Sequence, residues 1–168
     1  MKRMLTALLL LFAFLGIAHS APLSKGGRQG GPVTIKSNEL FTDSSNNTAT
    51  FTGKVIARQG DLTIYSDKMI VYYKSDGGDL DRVEVSGNVR IVQGDRLATA
   101  REGVYQSAEQ KIVLTGDPKV FQGENTVSGK VITYFVNEEK SIVTGGPDAR
   151  VEAVITPKDK GKDGGQQR

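Results

Sequence analysis

The stretch Ala49-Thr-Phe-Thr-Gly-Lys-Val-Ile-Ala-Arg-Gln-Gly-Asp-Leu-Thr-Ile-Tyr-Ser-Asp-Lys-Met-Ile-Val-Tyr-Tyr73 decides the fold of this chain. In its first half Phe51, Val55 and Ala57 lie on one face, and polar side chains lie on the other. This period of two residues is typical of a half-buried strand. Gln59-Gly60-Asp61 interrupts the alternation, which resumes at Leu62. We therefore predict two long strands, with Gly53, Gly60 and Asp61 read as turn geometry.

The same glycine spacing recurs downstream. Gly53 and Gly60, Gly87 and Gly94, and Gly116 and Gly123 are each seven residues apart, and the second glycine is always followed by an acid: Asp61, Asp95 and Glu124. Gly145 begins a partial fourth copy. A period of about 30 residues with strands in each copy predicts stacked units that share one core.

The flanking sequence sets the predicted domain limits. Residues 1–20 have the basic start, short apolar run and small-x-small ending of a cleavable secretory signal peptide, and Gly-rich residues 21–31 form a flexible leader. The folded domain is predicted over residues 32–156, beginning with strands at Val33–Lys36 and Glu39–Thr42 and ending with one at Ala149–Thr156. Charged residues 157–168 are predicted to be a disordered tail.

Composition excludes several functional classes. The chain has no cysteine, and its single histidine, His19, lies in the predicted signal, so a thiol nucleophile, a Ser-His-Asp triad and an ordinary zinc site are excluded. Asp76, Asp79 and Asp81 offer carboxylates, but with Gly77 and Gly78 they suit a turn better than a calcium loop. We predict no metal site, no cofactor and no catalytic residue, since the recurrent acids follow turn glycines.

Charge also excludes a nucleic-acid partner. The 22 basic residues, less Lys2 and Arg3 of the signal, leave 20 against 19 acidic residues. A nucleic-acid footprint needs basic residues concentrated on one face, and this nearly neutral balance gives no support for one.

The apolar faces have two interpretations. Val, Ile and Phe on one face of each strand first of all form a core, but a sheet stack with no helices to cover it also offers a groove for an apolar ligand. Small residues at Ser66, Ala100 and Gly129 fit either tight packing or open space.

Three segments carry a family resemblance. Ala49-Thr-Phe-Thr-Gly-Lys-Val-Ile-Ala-Arg-Gln-Gly60, Lys130-Val-Ile-Thr-Tyr-Phe-Val-Asn-Glu-Glu-Lys140 and Pro32-Val-Thr-Ile-Lys-Ser-Asn38 resemble the OstA-like family of periplasmic lipopolysaccharide-transport proteins. The resemblance implies an all-β, open-ended twisted β-jellyroll of repeated antiparallel hairpins. It also implies a bridge between inner and outer membrane, with an LptC-like partner at one end and an LptD-like partner at the other, and lipid A acyl chains along its apolar interior.

Two sets of site residues follow from this resemblance and from the alternation. The expected lipid-binding interior comprises Val33, Ile35, Phe51, Val55, Ile64, Val89, Ile91 and Tyr105. The first and last strands are expected to have open edges for head-to-tail self-association through Val33, Thr34, Ile35, Lys36, Val151, Ala153 and Ile155. The alternatives are an exported β-solenoid that binds or processes carbohydrate and a purely structural filament module.

Overall fold

The fold consists of antiparallel strands of very unequal length. A computed structural model describes residues 32–157 apart from 77, 137 and 139. The strands are β1 Thr34–Lys36, β2 Glu39–Asp43, β3 Thr48–Gln59, β4 Leu62–Tyr73, β5 Leu80–Gln93, β6 Arg96–Gln106, β7 Lys111–Thr115, β8 Lys119–Gln122, β9 Asn125–Ser128, β10 Val131–Phe135, β11 Lys140–Thr144 and β12 Glu152–Val154. Within the described part of the chain, no helix is long and apolar enough to cross a membrane.

Two-residue turns at recurrent glycines join successive strands. Gly60, Gly94 and Gly123 have φ of 56°, 56° and 57°, and each is the first of two residues between paired strands. A hairpin loop with glycine at its first position and positive φ there has type II′ character, which matches the right-handed twist of the flanking strands. The hairpin predicted around Gly60 is confirmed, and the acids after these glycines are exposed.

Gly53 has a different role from the predicted turn. It lies inside β3, where Gly53 and Lys54 both have positive φ, 80° and 50°, and the register with β4 shifts between Thr52 and Val55. This is a β-bulge, which inserts unpaired residues and bends the strand. The prediction of turn geometry at Gly53 was wrong because a bulge is defined by the partner strand and not by local sequence.

The bulge recurs with the repeat and divides the sheet into two layers. Gly87-Asn88 inside β5, and Gly116-Asp117 at the corresponding break between the end of β7 and the start of β8, also have consecutive positive φ values. On one side of these bulges, layer 1 has the strand order β1-β3-β4-β5-β6-β8-β9-β12. On the other side, layer 2 has the order β2-β3-β4-β5-β6-β7-β10-β11. We call the line of bulges the seam, because β3 to β6 cross it and belong to both layers.

The core lies where the two layers meet at the seam. Val55 and Val89 from layer 1 and Met69 and Val71 from layer 2 are at most 2% exposed and belong to one buried cluster. The two layers therefore pack their inner faces against each other. The predicted all-β architecture of repeated antiparallel hairpins is confirmed.

The first and last strands of the domain differ in length from the predicted strands. The last strand is Glu152–Val154, shorter than the predicted Ala149–Thr156, because Ala149 is held in a tight turn in which the Gly146 N–H donates to its carbonyl at 2.7 Å. The first strand begins at Thr34, one residue later than predicted. The predicted signal, the predicted leader and residues 158–168 of the predicted tail lie outside the described residues.

Candidate functional site

The inner face of layer 1 carries an unbroken apolar row across all eight strands. The residues that lie opposite one another in successive strands are Ile35, Ala57, Ile64, Ile91, Ala98, Val120, Val127 and Ala153. The alternation of side chains then places Val55 and Val89 on the same face, nearer the seam. This layer therefore presents a continuous apolar inner surface.

The inner face of layer 2 carries the matching row. Its members are Leu40, Phe51, Met69, Val85, Gly103, Leu114, Ile132 and Val143. All of these except the end residues Leu40 and Val143 are buried. A Cβ at Gly103 would lie 3.0 Å from both Leu114 and Val85, so this row is tightly packed and leaves no open space.

Burial falls with distance from the seam along β4 and β5 of layer 1, while Ala57 of β3 stays buried. Val89 is 1% exposed, whereas Ile91, two residues further along the same face of β5, is only half-buried. Ile35 and Ile64 are half-buried as well. The apolar inner face is therefore closed at the seam and partly open toward the hairpin turns.

The eight residues predicted to form the interior lie together. Phe51, Val55 and Val89 belong to the buried core, and the other five pack against it while half-buried: Val33, Ile35, Ile64, Ile91 and Tyr105. The predicted grouping thus corresponds to one continuous cluster. Contact of these residues with lipid remains a prediction.

Small residues near the seam serve packing. A Cβ at Gly129 would lie 2.7 Å from Cγ1 of Val143 and 2.9 Å from the carbonyl oxygen of Thr144. Ser66 is 5% exposed, and its Oγ has no hydrogen-bond partner among the described residues. The small residues were expected to allow either tight packing or open space, and at Gly129 and Ser66 the structure shows tight packing.

The inner face of layer 2 also holds two tyrosines. Partial burial raises the pKa of Tyr73, and burial raises the pKa of Tyr105 against the opposing effect of hydrogen bonds with Gln110 and Ser107. Desolvation disfavours the phenolate, so both rings are kept neutral. Among the described residues, no group of three or more carboxylates or histidines is placed to hold a metal ion.

The edges of both layers carry the exposed apolar side chains. β1 and β12 each pair on one side only among the described strands, so the predicted edge residues Val33, Thr34, Ile35, Lys36, Val151, Ala153 and Ile155 do lie at or beside the edges of layer 1. The edges of layer 2 are β2 and β11, and neither was predicted from the sequence as an edge. Among the described residues, the large apolar side chains that are exposed lie in or beside edge strands: Leu40, Phe41, Ile142, Val151, Val154 and Ile155. The available signal was the pair Leu40-Phe41, which puts an apolar side chain on each face of one short strand.

Comparisons with known proteins agree with this architecture. Residues 34–140 match the family model described as "LptA/(LptD N-terminal domain) LPS transport protein". An uncharacterized protein of Rhizobium meliloti (strain 1021) is 37% identical over 90 residues, covering 49% of this chain and 48% of that protein. The chain thus spans about half the length of this curated relative.

A solved structure has the same fold. It is LptH, described as the LptA homologous periplasmic component of the conserved lipopolysaccharide transport device from Pseudomonas aeruginosa. The TM-score is 0.65 at 20% identity, and the alignment covers 75% of this chain and 96% of the LptH chain. The predicted OstA-like fold is confirmed.

Proposed function

Since the chain belongs to the LptA/LptD N-terminal-domain family of lipopolysaccharide transport proteins, we propose that it binds lipid A acyl chains along the inner face of layer 1. The predicted membership of the OstA-like family is confirmed. The observation that carries the proposal is the apolar row from Ile35 to Ala153, which crosses all eight strands without a polar side chain and is half-buried over most of its length.

The dimensions and energetics of this row suit acyl chains. Eight strands at about 4.8 Å spacing give a path of roughly 34 Å across the layer. Each CH₂ group removed from water contributes about 0.8 kcal/mol, so an acyl chain lying along the row is strongly favoured over one exposed to water. Binding of this kind needs no catalytic group, and we propose transport without catalysis.

The four edges support a head-to-tail bridge. β1 and β2 both pair with β3, so they lie at one end of the domain, while β11 and β12 are the edges at the other end. If β12 of one copy pairs with β1 of the next and β11 pairs with β2, both layers continue across the junction. The apolar side chains at these edges would then be covered.

The same edges provide the proposed contacts with other transport components. We propose a periplasmic bridge between inner and outer membrane, with an LptC-like partner at one end and an LptD-like partner at the other. A head-to-tail homo-oligomer supplies its length. Each contact uses the exposed backbone of an edge strand, which is a template for β-augmentation.

Site-specific photo-crosslinking tests the acyl-chain path. A photoreactive phenylalanine analogue replaces Ile91 on the inner face of β5, and in a matched control it replaces Val92, the next residue, on the outer face of the same strand. We expect lipopolysaccharide adducts at Ile91, and at Ile35 in β1, but not at Val92. Two results with folded protein contradict the proposal: equal amounts of adduct at Ile91 and Val92, or no adduct at either Ile91 or Ile35. Adducts with a lipid-free saccharide at Ile91 would instead support the carbohydrate-binding alternative.

A further inference from the structure

An open cleft bordered by charged side chains lies on the outer face of layer 1, beside the seam and opposite the apolar row. It has a volume of about 280 Å³, and its lining comprises Val55 and Ser66 together with six residues that border it: Lys54, Ile56, Tyr65, Asp67, Asn88 and Arg90. The alternation along β3, β4 and β5 turns these six side chains outward, since the side chains of Val55, Ser66 and Val89 between them are buried. The cleft is therefore separate from the proposed acyl-chain path.

Lys54 occupies a backbone conformation that suits another residue type. Its φ is 50°, and the equivalent positions in the other two bulges hold Asn88 at 49° and Asp117 at 58°. Asn and Asp are the non-glycine residues that tolerate this region best, whereas lysine is rarely found there. At the other two bulges the side chain is used within the fold: Asn88 donates to Asp67 Oδ2 at 2.8 Å, and Asp117 pairs with Arg101.

Lys54 has no such use. Its ammonium group makes no hydrogen bond or ion pair with any described residue, although lysine bears a higher backbone cost at this φ than asparagine or aspartate does. The side chain is exposed and borders the cleft. A lysine that is held in an unfavourable backbone conformation and has no partner within the fold is a candidate for binding a ligand.

Arg90 gives the cleft a second cation that has no carboxylate partner among the described residues. Its guanidinium carbon lies 5.5 Å from the centre of the Tyr65 ring, and no carboxylate among the described residues pairs with it. The acid of the cleft, Asp67, already accepts a hydrogen bond from Asn88. Two cations against one carboxylate leave the cleft with a net positive charge.

We propose that this cleft binds a phosphorylated sugar. Lys54 and Arg90 supply the charge-assisted donors that a phosphate group needs. Asn88, Asp67 and the Tyr65 hydroxyl supply donors and acceptors for sugar hydroxyl groups, and Ile56 and the Tyr65 ring supply apolar surface. The volume is smaller than that of pockets for drug-sized ligands and suits a single sugar ring. This binding is independent of the acyl-chain path, so either proposal can fail alone.

Titration of the full-length protein with glucose 1-phosphate, followed by NMR of backbone amides, tests the proposal. We expect shifts in residues 54–56, 65–67 and 88–90, weaker binding of inorganic phosphate and weaker still of glucose. Lys54→Asn and Arg90→Gln should each weaken binding about tenfold or more, as expected for loss of a charge-assisted hydrogen bond. The matched control is Lys119→Gln, which removes an exposed cation on the same face of layer 1 outside the cleft.

Lys54→Asn separates binding from folding. Asparagine suits the positive φ, so this variant should unfold at a higher urea concentration than the unmodified protein while it loses affinity. Three results each overturn the proposal: unchanged affinity in Lys54→Asn, an equal loss in Lys119→Gln, or binding of glucose as tight as that of glucose 1-phosphate.

Discussion

Replacement of the bulge glycine Gly87 by alanine should destabilise the protein far more than the same change at the turn glycine Gly94. Both residues have positive φ, 75° and 56°. They differ in surroundings: a Cβ at Gly87 would lie 2.8 Å from Cβ and 2.9 Å from Cγ of Asp67, whereas a Cβ at Gly94 would meet nothing within 4 Å. The Cβ of Asp67 is fixed to the backbone, so this overlap cannot be removed by side-chain rotation alone.

The difference in unfolding free energy can be worked from these contacts. An L-residue with a Cβ costs about 1–2 kcal/mol in the left-handed region, and both variants bear this cost. At Gly87 the overlap also displaces the Asp67 carboxylate from its hydrogen bond with Asn88, which adds about 1 kcal/mol, and forces movement of the seam. We expect losses of about 1–2 kcal/mol for Gly94→Ala and about 3–4 kcal/mol for Gly87→Ala.

Urea unfolding of the full-length variants measures both values. Asparagine controls separate the two contributions, because asparagine tolerates positive φ: Gly94→Asn should be nearly neutral, while Gly87→Asn should retain most of its loss. Equal losses in Gly87→Ala and Gly94→Ala would refute the assignment of Gly87 to a packed bulge.

Two further predictions concern the edges and the tyrosines. Phe41 lies on the edge strand β2 with its ring 60% exposed, so Phe41→Lys should raise the protein concentration at which light scattering detects self-association about tenfold or more. The control Thr52→Lys, on the exposed face of β3, should leave this concentration unchanged. An equal increase in both variants would contradict edge pairing. Burial raises the pKa of Tyr73 and Tyr105 in the folded state above their pKa of about 10 in the unfolded chain. The contribution of the two tyrosines to the free energy of unfolding is therefore complete below the unfolded-state pKa and is lost as the pH rises through the folded-state pKa. The fall in unfolding free energy above about pH 10 should therefore be smaller in the double variant Tyr73→Phe/Tyr105→Phe, and a fall of the same size would show that these rings do not cause it.

The parts of the fold that local sequence encodes were predictable. Alternation placed Phe51, Val55 and Ile64 on one face, and Gly60 marked the hairpin, because side-chain period and turn geometry depend only on neighbouring residues. The bulge at Gly53 and the edge position of β2 were not predictable in this way. Both depend on which strand lies alongside and in what register: β1 pairs with the second half of β3 and β2 with its first half, on the same edge of β3.

The gradient of burial along β5 assigns different roles to residues that alternation alone makes equivalent. Val89 and Ile91 share one face, but Val89 is enclosed between two layers joined by continuous strands, so a ligand there would have to separate packed side chains at a cost of several kcal/mol. Ile91 lies where the inner face is already partly open, and covering it costs no packing. The same contrast separates Val55 from Ile64. The seam therefore supplies stability, and we expect the proposed acyl-chain path to lie toward the hairpin turns, so crosslinking should be stronger at Ile91 than at Val89.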